Sequence, residues 1–387
     1  MWAPIVTPEG VKSRTNGKNL DSRIEKGDGA AFRCKWGHDS LTAEGSVPRI
    51  LPMPERPPPL YPLRFKEIYK DKIWGGPELS KVLGKKGAGK KCGESWEISQ
   101  RDKNQSTVTN GPYKGQTLEQ LLETNRKDVL GDEHSMRFKK YPLLIKFLCC
   151  HDRLSLQVHP TDDYAQRYEA EGVGKMEAWY ILHAPKDSRV IRGVLPGTTV
   201  AEFKSHLQAG TIEQCLNVMD VKEQDVIFIP PGTIHSAYGG VVFLEVQQNS
   251  DTTYRLSDWG RVGADKKPRQ LHVEKAMNVT DFYSMGVSKY KAARIAGYAY
   301  RRKLLIKCEK FVMETIELGR QRITEKANAA RSVVHTIVNG KGKYMYGEKK
   351  RSSQPFKKGE TFLIPAKIGE YDIVSTAETE IVLSFVE

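Results

Sequence analysis

Apolar and polar residues alternate through a short stretch near the middle of the chain, where Leu154, Leu156 and Val158 interleave with Ser155, Gln157 and His159. A period of two predicts a strand that carries Ser155, Gln157 and His159 on one face and turns its apolar residues to a core. A second strand is predicted where Ala178-Trp179-Tyr180-Ile181-Leu182 follows Glu177, and a third over Asp225-Val226-Ile227-Phe228-Ile229. Pro230-Pro231-Gly232 then predicts a tight turn that delivers His235. Thr161 to Gly174, between the first two strands, is polar with helical spacing at Tyr164 and Tyr168. Further strands are predicted around Leu63 to Phe65, Ser95 to Ser99 and Leu143 to Cys149. Leu118, Leu121, Leu122 and Val129 predict an amphipathic helix over Thr117 to Leu130.

These strands bring four side chains, Gln157, His159, Glu177 and His235, toward one point. Two imidazoles, a carboxylate and an amide oxygen, with no sulfur, suit zinc, and less selectively iron, manganese or cobalt. The protein fills four places at most, which leaves room for a water or a substrate oxygen and favours a catalytic over a closed structural site. Each segment alone is weak, since a His beside a Pro-Gly turn is ordinarily a hydrogen-bonded loop residue and Gln-x-His is common by chance. Their order along the chain carries the reading.

Pro230-x-Gly232-x-x-His235, ending an apolar strand, resembles the second sequence motif of the cupin barrel. Taken with Ser155-Leu156-Gln157-Val158-His159-Pro160 and Lys175-Met176-Glu177, it resembles more narrowly the mannose-6-phosphate isomerase family in its shorter bacterial form. Gly93 to Ser99, Pro142 to Leu148 and Thr253 to Arg261 extend the resemblance, which runs from about Tyr61 to the end of the chain. Gln224 departs from the glycine of a general cupin, and Gln157 with His159 departs from its paired histidines. The isomerase family shares the second departure.

The resemblance implies a mainly β fold of cupin double-stranded β-helix (jelly-roll) barrels, one catalytic and one metal-free, with a few accessory helices. It implies interconversion of mannose 6-phosphate and fructose 6-phosphate through a cis-enediolate, with one zinc per chain on Gln157, His159, Glu177 and His235. Such a reaction moves a weakly acidic proton between adjacent carbons, and a Lewis acid removes several kcal/mol, on the order of other metal-assisted steps, from its barrier. Zinc has no redox chemistry to divert the enediol. The resemblance places catalytic roles at Arg255 and Lys175, and substrate phosphate contacts at Ser155, Lys146 and Ser95. A planar, permanently charged guanidinium at Arg255 could hold two enediolate oxygens, against the plainer alternative of an ion pair with Asp251 or Asp258. Lys175, two residues before Glu177, shares its face of an extended segment. Lys146 stands in an otherwise apolar strand, where an unpaired charge is costly. For the proton-transferring base the residues leave Lys175, Glu177, His159, a metal-bound water and Glu245 open. Another metallo-cupin enzyme, such as an iron dioxygenase, or a non-catalytic sugar-binding cupin would use a similar ligand set.

With 387 residues, 39% of them hydrophobic, the chain is long enough for two or three compact units. Residues 1 to 60 are rich in Gly, Ser, Lys and Pro and are expected to form a disordered extension with a proline-rich linker. Residues 61–290 are expected to form the catalytic domain, with helical insertions, and 291–387 a second barrel, because Gly359 to Ala366 echoes Gln224 to Pro231. Lys367-Ile368-Gly369-Glu370 offers no imidazole where His235 stands, so the second barrel is expected to be metal-free and structural. No apolar run approaches bilayer length and no signal peptide is apparent at Met1, so a cytoplasmic protein without membrane partners is expected. The six cysteines have neither the spacing nor the density of a disulfide scaffold. A net charge of +14 is scattered along the chain, which suits steering of a phosphorylated sugar and argues against nucleic acid. Monomer and homodimer are both compatible with the sequence.

Overall fold

Runs rich in Val, Ile, Leu, Phe and Trp become strands because branched and aromatic side chains pack well on a pleated surface. In the computed structural model, which describes residues 58–263, 266–283 and 289–387, these runs assemble four larger antiparallel sheets and one short two-stranded ladder. The extension expected over residues 1 to 60 lies outside the described residues except for 58–60.

The first barrel faces a six-stranded sheet against a five-stranded one. The former runs Val226–Ile229, Glu177–His183, Val241–Gln248, Leu143–Cys150, Cys92–Ile98 and Ile68–Asp71. The latter runs Leu216–Asp220, Arg189–Val194, His235–Tyr238, Leu156–Val158 and Tyr254–Ser257. Trp74, Leu148, Trp179, Ile181, Ile227 and Phe243 fill the apolar part of its interior. The second barrel repeats the plan with a seven-stranded and a four-stranded sheet around Ile316, Tyr344, Phe362 and Ile373. Leu63–Arg64, at the start of the described chain, pairs with Thr361–Ile364 and so belongs to the second barrel's sheet. The mainly β, two-barrel architecture agrees with the expectation from sequence.

One continuous apolar layer joins the two barrels. Ile145, Phe147, Tyr180 and Leu244 from the six-stranded sheet meet Leu305, Met313, Val334 and Val382 from the seven-stranded one. The helix Leu118–Leu130 seals this layer with Leu118, Leu121, Leu122 and Val129. It starts in a capping box, in which the Gln120 N–H donates to Thr117 Oγ1 at 3.2 Å and the Thr117 N–H donates to Gln120 Oε1 at 2.9 Å. A smaller cluster on the outer face of the five-stranded sheet holds Leu156, Val158 and Ile191 against Phe203 of the Val200–Ala209 helix and Ala276 of the Val273–Val279 helix.

Two local departures have physical causes. Leu154 precedes the short Leu156–Val158 strand and packs inside the barrel beside Trp74 and Trp179, so the predicted alternation holds only from Leu156 onward. Gln224 adopts φ of 70°, the left-handed conformation that glycine takes at little cost, and donates its N–H to Ile181 O at 2.8 Å. The equivalent turn of the second barrel uses Gly359, at φ of 85°. The turn expected from a cupin glycine therefore survives its replacement. Among the described residues, no helix is long and apolar enough to cross a membrane.

Candidate metal centre and active site

The site is assembled by ladder register. His235 and Arg255 both stand opposite Gln157, one on each neighbouring strand, so the three side chains form a row across the five-stranded sheet. The turn before His235 closes with a hydrogen bond from Thr233 N–H to Pro230 O at 3.2 Å and carries Gly232 at φ of 85°. A Cβ there would lie 2.9 Å from Val279 O, so glycine is required twice over. Glu177 opens the second ligand strand, where it pairs with Ile229 on one side and Gln247 on the other.

Glu177 Oε2 lies 3.4 Å from His159 Nε2, and Glu177 Oε1 lies 3.3 Å from His235 Nε2. The ligand atoms of His159, Glu177 and His235 all fall within 4.8 Å of one another. All three residues are buried, yet Glu177 Oε1 and His159 Nε2 have no hydrogen-bond partner, and Glu177 Oε2 meets only the Lys175 ammonium. Buried groups left so would cost on the order of 1–3 kcal/mol each. A divalent cation fits them, because it would meet all three lone-pair sets at once. The imidazole orientations suit this, since His159 Nδ1 donates to Thr252 O at 3.0 Å and His235 Nδ1 donates to Thr233 O at 2.9 Å. Each leaves Nε2 unprotonated and turned to the carboxylate. The Gln157 amide approaches His235 Nε2 at 3.1 Å, while its other end accepts from Ser155 Oγ at 3.3 Å. Exchanging the amide O and N would keep a bond to the Ser155 hydroxyl, which can accept as readily as donate, and would present the oxygen as a fourth ligand.

The electrostatics favour a cation as well. Burial, reinforced by the Lys175 ammonium, pushes the His159 imidazole down to about 3, and burial also lowers His235, so both are neutral near pH 7. Burial alone would raise the Glu177 carboxyl, but the Lys175 ammonium, with Nζ 2.8 Å from Oε2, holds it well below the usual carboxylate range. Two neutral imidazoles and an ionised carboxylate are the protonation states a metal requires.

The remaining predicted residues divide. Lys175 reaches the cluster, as its spacing to Glu177 implied. Arg255 shares the row of ligands, and its guanidinium donates from an Nη to Gln270 O at 2.7 Å while its Nε is buried without a partner. The ion pair with Asp258 does not form, because Arg261 and Arg269 claim that carboxylate. Ser155 is buried against Gln157. Lys146 lies 3.3 Å from Glu245 and 4.9 Å above the Trp96 ring, so its charge is compensated inside the strand layer. Ser95 is not brought to the site. It pairs opposite Phe147, on the face turned toward the other barrel, and donates from Oγ to Glu97 at 2.6 Å, beside Lys85. Alternation along Cys92–Ile98 gives the barrel interior to its neighbours Glu94 and Trp96, whose indole N–H donates to Glu94 at 2.6 Å.

Glu94, Trp96 and Trp179 complete the polar wall without having been singled out in the sequence. Trp179 Nε1 donates to Glu245 Oε1 at 3.1 Å, and its ring meets that of His235 edge-on at 5.6 Å. Burial and the nearby Glu177 carboxylate raise Glu245 to about 7, against the pull of Lys146. Glu245, already a candidate base from sequence, stands inside the apolar run Val241–Gln248 and pairs in register with Lys146 inside another.

The family described as the catalytic domain of type I phosphomannose isomerase matches this chain over residues 63–175. The chain is 35% identical to the mannose-6-phosphate isomerase ManA of Bacillus subtilis over 320 residues, which cover 82% of this chain and 97% of that protein. It is 37% identical to the mannose-6-phosphate isomerase of Streptococcus mutans over 218 residues, 56% of this chain and 67% of the relative. Among solved structures, that of the Bacillus subtilis mannose 6-phosphate isomerase superposes with a TM-score of 0.75 at 30% identity, covering 84% of this chain and 99% of that one. A variant of the Salmonella typhimurium phosphomannose isomerase, at 15% identity and a TM-score of 0.68, shares the fold.

Proposed function

From the premise that the chain belongs to the type I phosphomannose isomerases, we propose that it interconverts mannose 6-phosphate and fructose 6-phosphate at the cluster above, through a cis-enediolate and with one zinc ion per chain. The observation that carries this reading is the buried triad of ligand atoms of His159, Glu177 and His235 within 4.8 Å of one another, in which Glu177 Oε1 and His159 Nε2 have no hydrogen-bond partner. His159, Glu177, His235 and the amide oxygen of Gln157 would hold the metal. When bound, zinc supplies Lewis-acid polarisation of the substrate carbonyl.

The other roles fall to the chain's own groups. Arg255, in the same row as Gln157, presents a planar cation to the two oxygens that gain charge as the C2 proton leaves. Lys175 holds an ammonium beside the ligand carboxylate, where it can donate to a substrate hydroxyl. Ser155, behind Gln157, and Lys146, anchored by Glu245, are the candidate contacts toward the phosphate end. The buried barrel wall of Trp96, Trp179 and Glu245 keeps bulk water from the enediolate. On this reading the first barrel, within residues 61–290, carries the reaction, and a phosphorylated substrate favours a cytoplasmic setting.

The test joins metal analysis with turnover. The purified protein is expected to hold close to one zinc per chain, to lose isomerisation on chelation and to regain it with added zinc. Full isomerisation by metal-free protein would overturn the zinc reading, and absence of isomerisation by the zinc-loaded protein would overturn the reaction.

A further inference from the structure

Because the barrels share one strand plan, each site position in the first has a counterpart in the second. Glu177 pairs with Ile229 as Val333 pairs with Ile364, and His235 pairs with Gln157 as Glu370 pairs with Lys326. Two residues beyond Gln157 and Lys326 stand His159 and Asn328. Glu245 lies opposite Trp179 as Leu383 lies opposite His335. Lys326, Asn328, Val333 and Glu370 thus occupy the four metal positions. This end of the second barrel is not packed solid: a cavity of about 290 Å³ lies there, lined by Lys326, Asn328, Val333, His335 and Leu383 among others.

The other walls carry paired donors and acceptors. Arg302 donates from Nε to Glu314 at 2.7 Å and reaches Glu325 at 3.5 Å, with its guanidinium 4.7 Å from the Tyr298 ring centre. His335 forms the floor between the hydroxyls of Tyr344, at 3.3 Å, and Tyr371, at 3.4 Å. Arg331 lies 4.3 Å over the Phe385 ring, and its Nε is shut off from solvent without a hydrogen-bond partner. A cationic donor buried and unmet is costly, and in folded proteins such a donor ordinarily has something to meet. Three lining cations, Arg302, Lys326 and Arg331, against the two carboxylates Glu314 and Glu325 leave one positive charge. The volume lies at the low end of small-molecule sites, in the range of a monosaccharide. Guanidinium, carboxylate, amide and phenol groups beside aromatic faces suit a hydroxylated ring or chain, and the surplus charge with the free Arg331 N–H calls for an anion.

We propose that the mouth of the second barrel is a binding site for a small polyhydroxylated anion of the hexose phosphate class, separate from the metal centre. Arg331 and Lys326 take the anionic group, while Glu325, Asn328 and Arg302 take the hydroxyls. None of these residues belongs to the metal centre, so the inference does not depend on the isomerase reading.

Isothermal titration of the full-length, zinc-loaded protein with glucitol 6-phosphate, which cannot isomerise, tests it. Two ligands per chain are expected. Arg331→Ala, and independently Lys326→Glu at an exposed position that burdens the fold little, should each weaken one binding event by about tenfold or more, the worth of one charge-assisted hydrogen bond. Their kcat and KM for mannose 6-phosphate should match those of the native chain, and Arg255→Ala should leave this event in place. No binding, or binding events all unmoved by both variants, would overturn the proposal. So would equal affinity for inorganic phosphate, which removes the sugar, or for neutral glucitol, which removes the anion. If isomerisation failed while the second event persisted, only the isomerase reading would fall.

Discussion

Arg255 owes its place to a single register contact, opposite Gln157, and its guanidinium is spared the Asp258 pair that would have tied it down. Arg255→Ala is therefore expected to keep metal and fold while kcat falls by roughly 100- to 1000-fold, the usual scale for removing one transition-state donor. Zinc content and steady-state kinetics measure this, and near-native turnover would rule out the enediolate role. His335 permits a second prediction. Burial, with Arg302 nearby, lowers its imidazole from 6.5 to about 3. Between those values the unfolded chain takes up a proton that the native one refuses, so stability is lost as pH falls below 6.5, by up to ~1.4 kcal/mol per pH unit. Urea unfolding of native and His335→Asn protein from pH 7 to 4.5 should give a shallower slope for the variant, and parallel slopes would contradict the shift. Ser95 marks where residue-by-residue reading stopped: its motif was legible, but a strand has two faces, and which one met the site depended on Phe147 packing between the barrels.

At the level of elements, turns and ladders decide whether ligands converge. Gln224 and Gly359 occupy equivalent left-handed turns, and only the glycine does so without a Cβ penalty. Gln224→Gly should relieve strain on the order of 1 kcal/mol, less the entropy glycine adds to the unfolded chain, for a net stabilisation of a few tenths. Chemical denaturation would detect it, and a clear loss of stability would show that the Gln224 side chain contributes more than its backbone costs. The strands Glu177–His183, Val226–Ile229 and Leu143–Cys150 were legible because buried strands read as continuous apolar runs. The strand Leu63–Arg64 was legible too, but not its partner Thr361–Ile364, since a pairing across almost the whole chain leaves no local trace.

For the whole molecule, the apolar layer shared by the two barrels makes them interdependent. Removing residues 291–387 would expose Phe147, Tyr180 and Leu244 and leave Leu63–Arg64 without its sheet. The remaining chain should therefore lack a cooperative thermal transition and bind hydrophobic dyes, and a sharp transition would refute the interdependence. Deleting residues 1–55 should be nearly silent in turnover and melting temperature, because among the described residues the strands of the four larger sheets pair with one another between Leu63 and Phe385. A large loss in either would show that these residues support the barrel.

By itself the sequence determined the strands that carry Gln157, His159, Glu177 and His235, their standing as candidate ligands, and the repeat that makes a second barrel, because these depend on side-chain period, donor chemistry and turn residues over short distances. Only the tertiary structure decided which face each strand turned inward, which charges Lys146 and Asp258 had already met, and that the second barrel keeps a polar cavity where the first holds its ligands. Burial and ion pairing are properties of neighbours brought together from distant parts of the chain, and no local pattern encodes them.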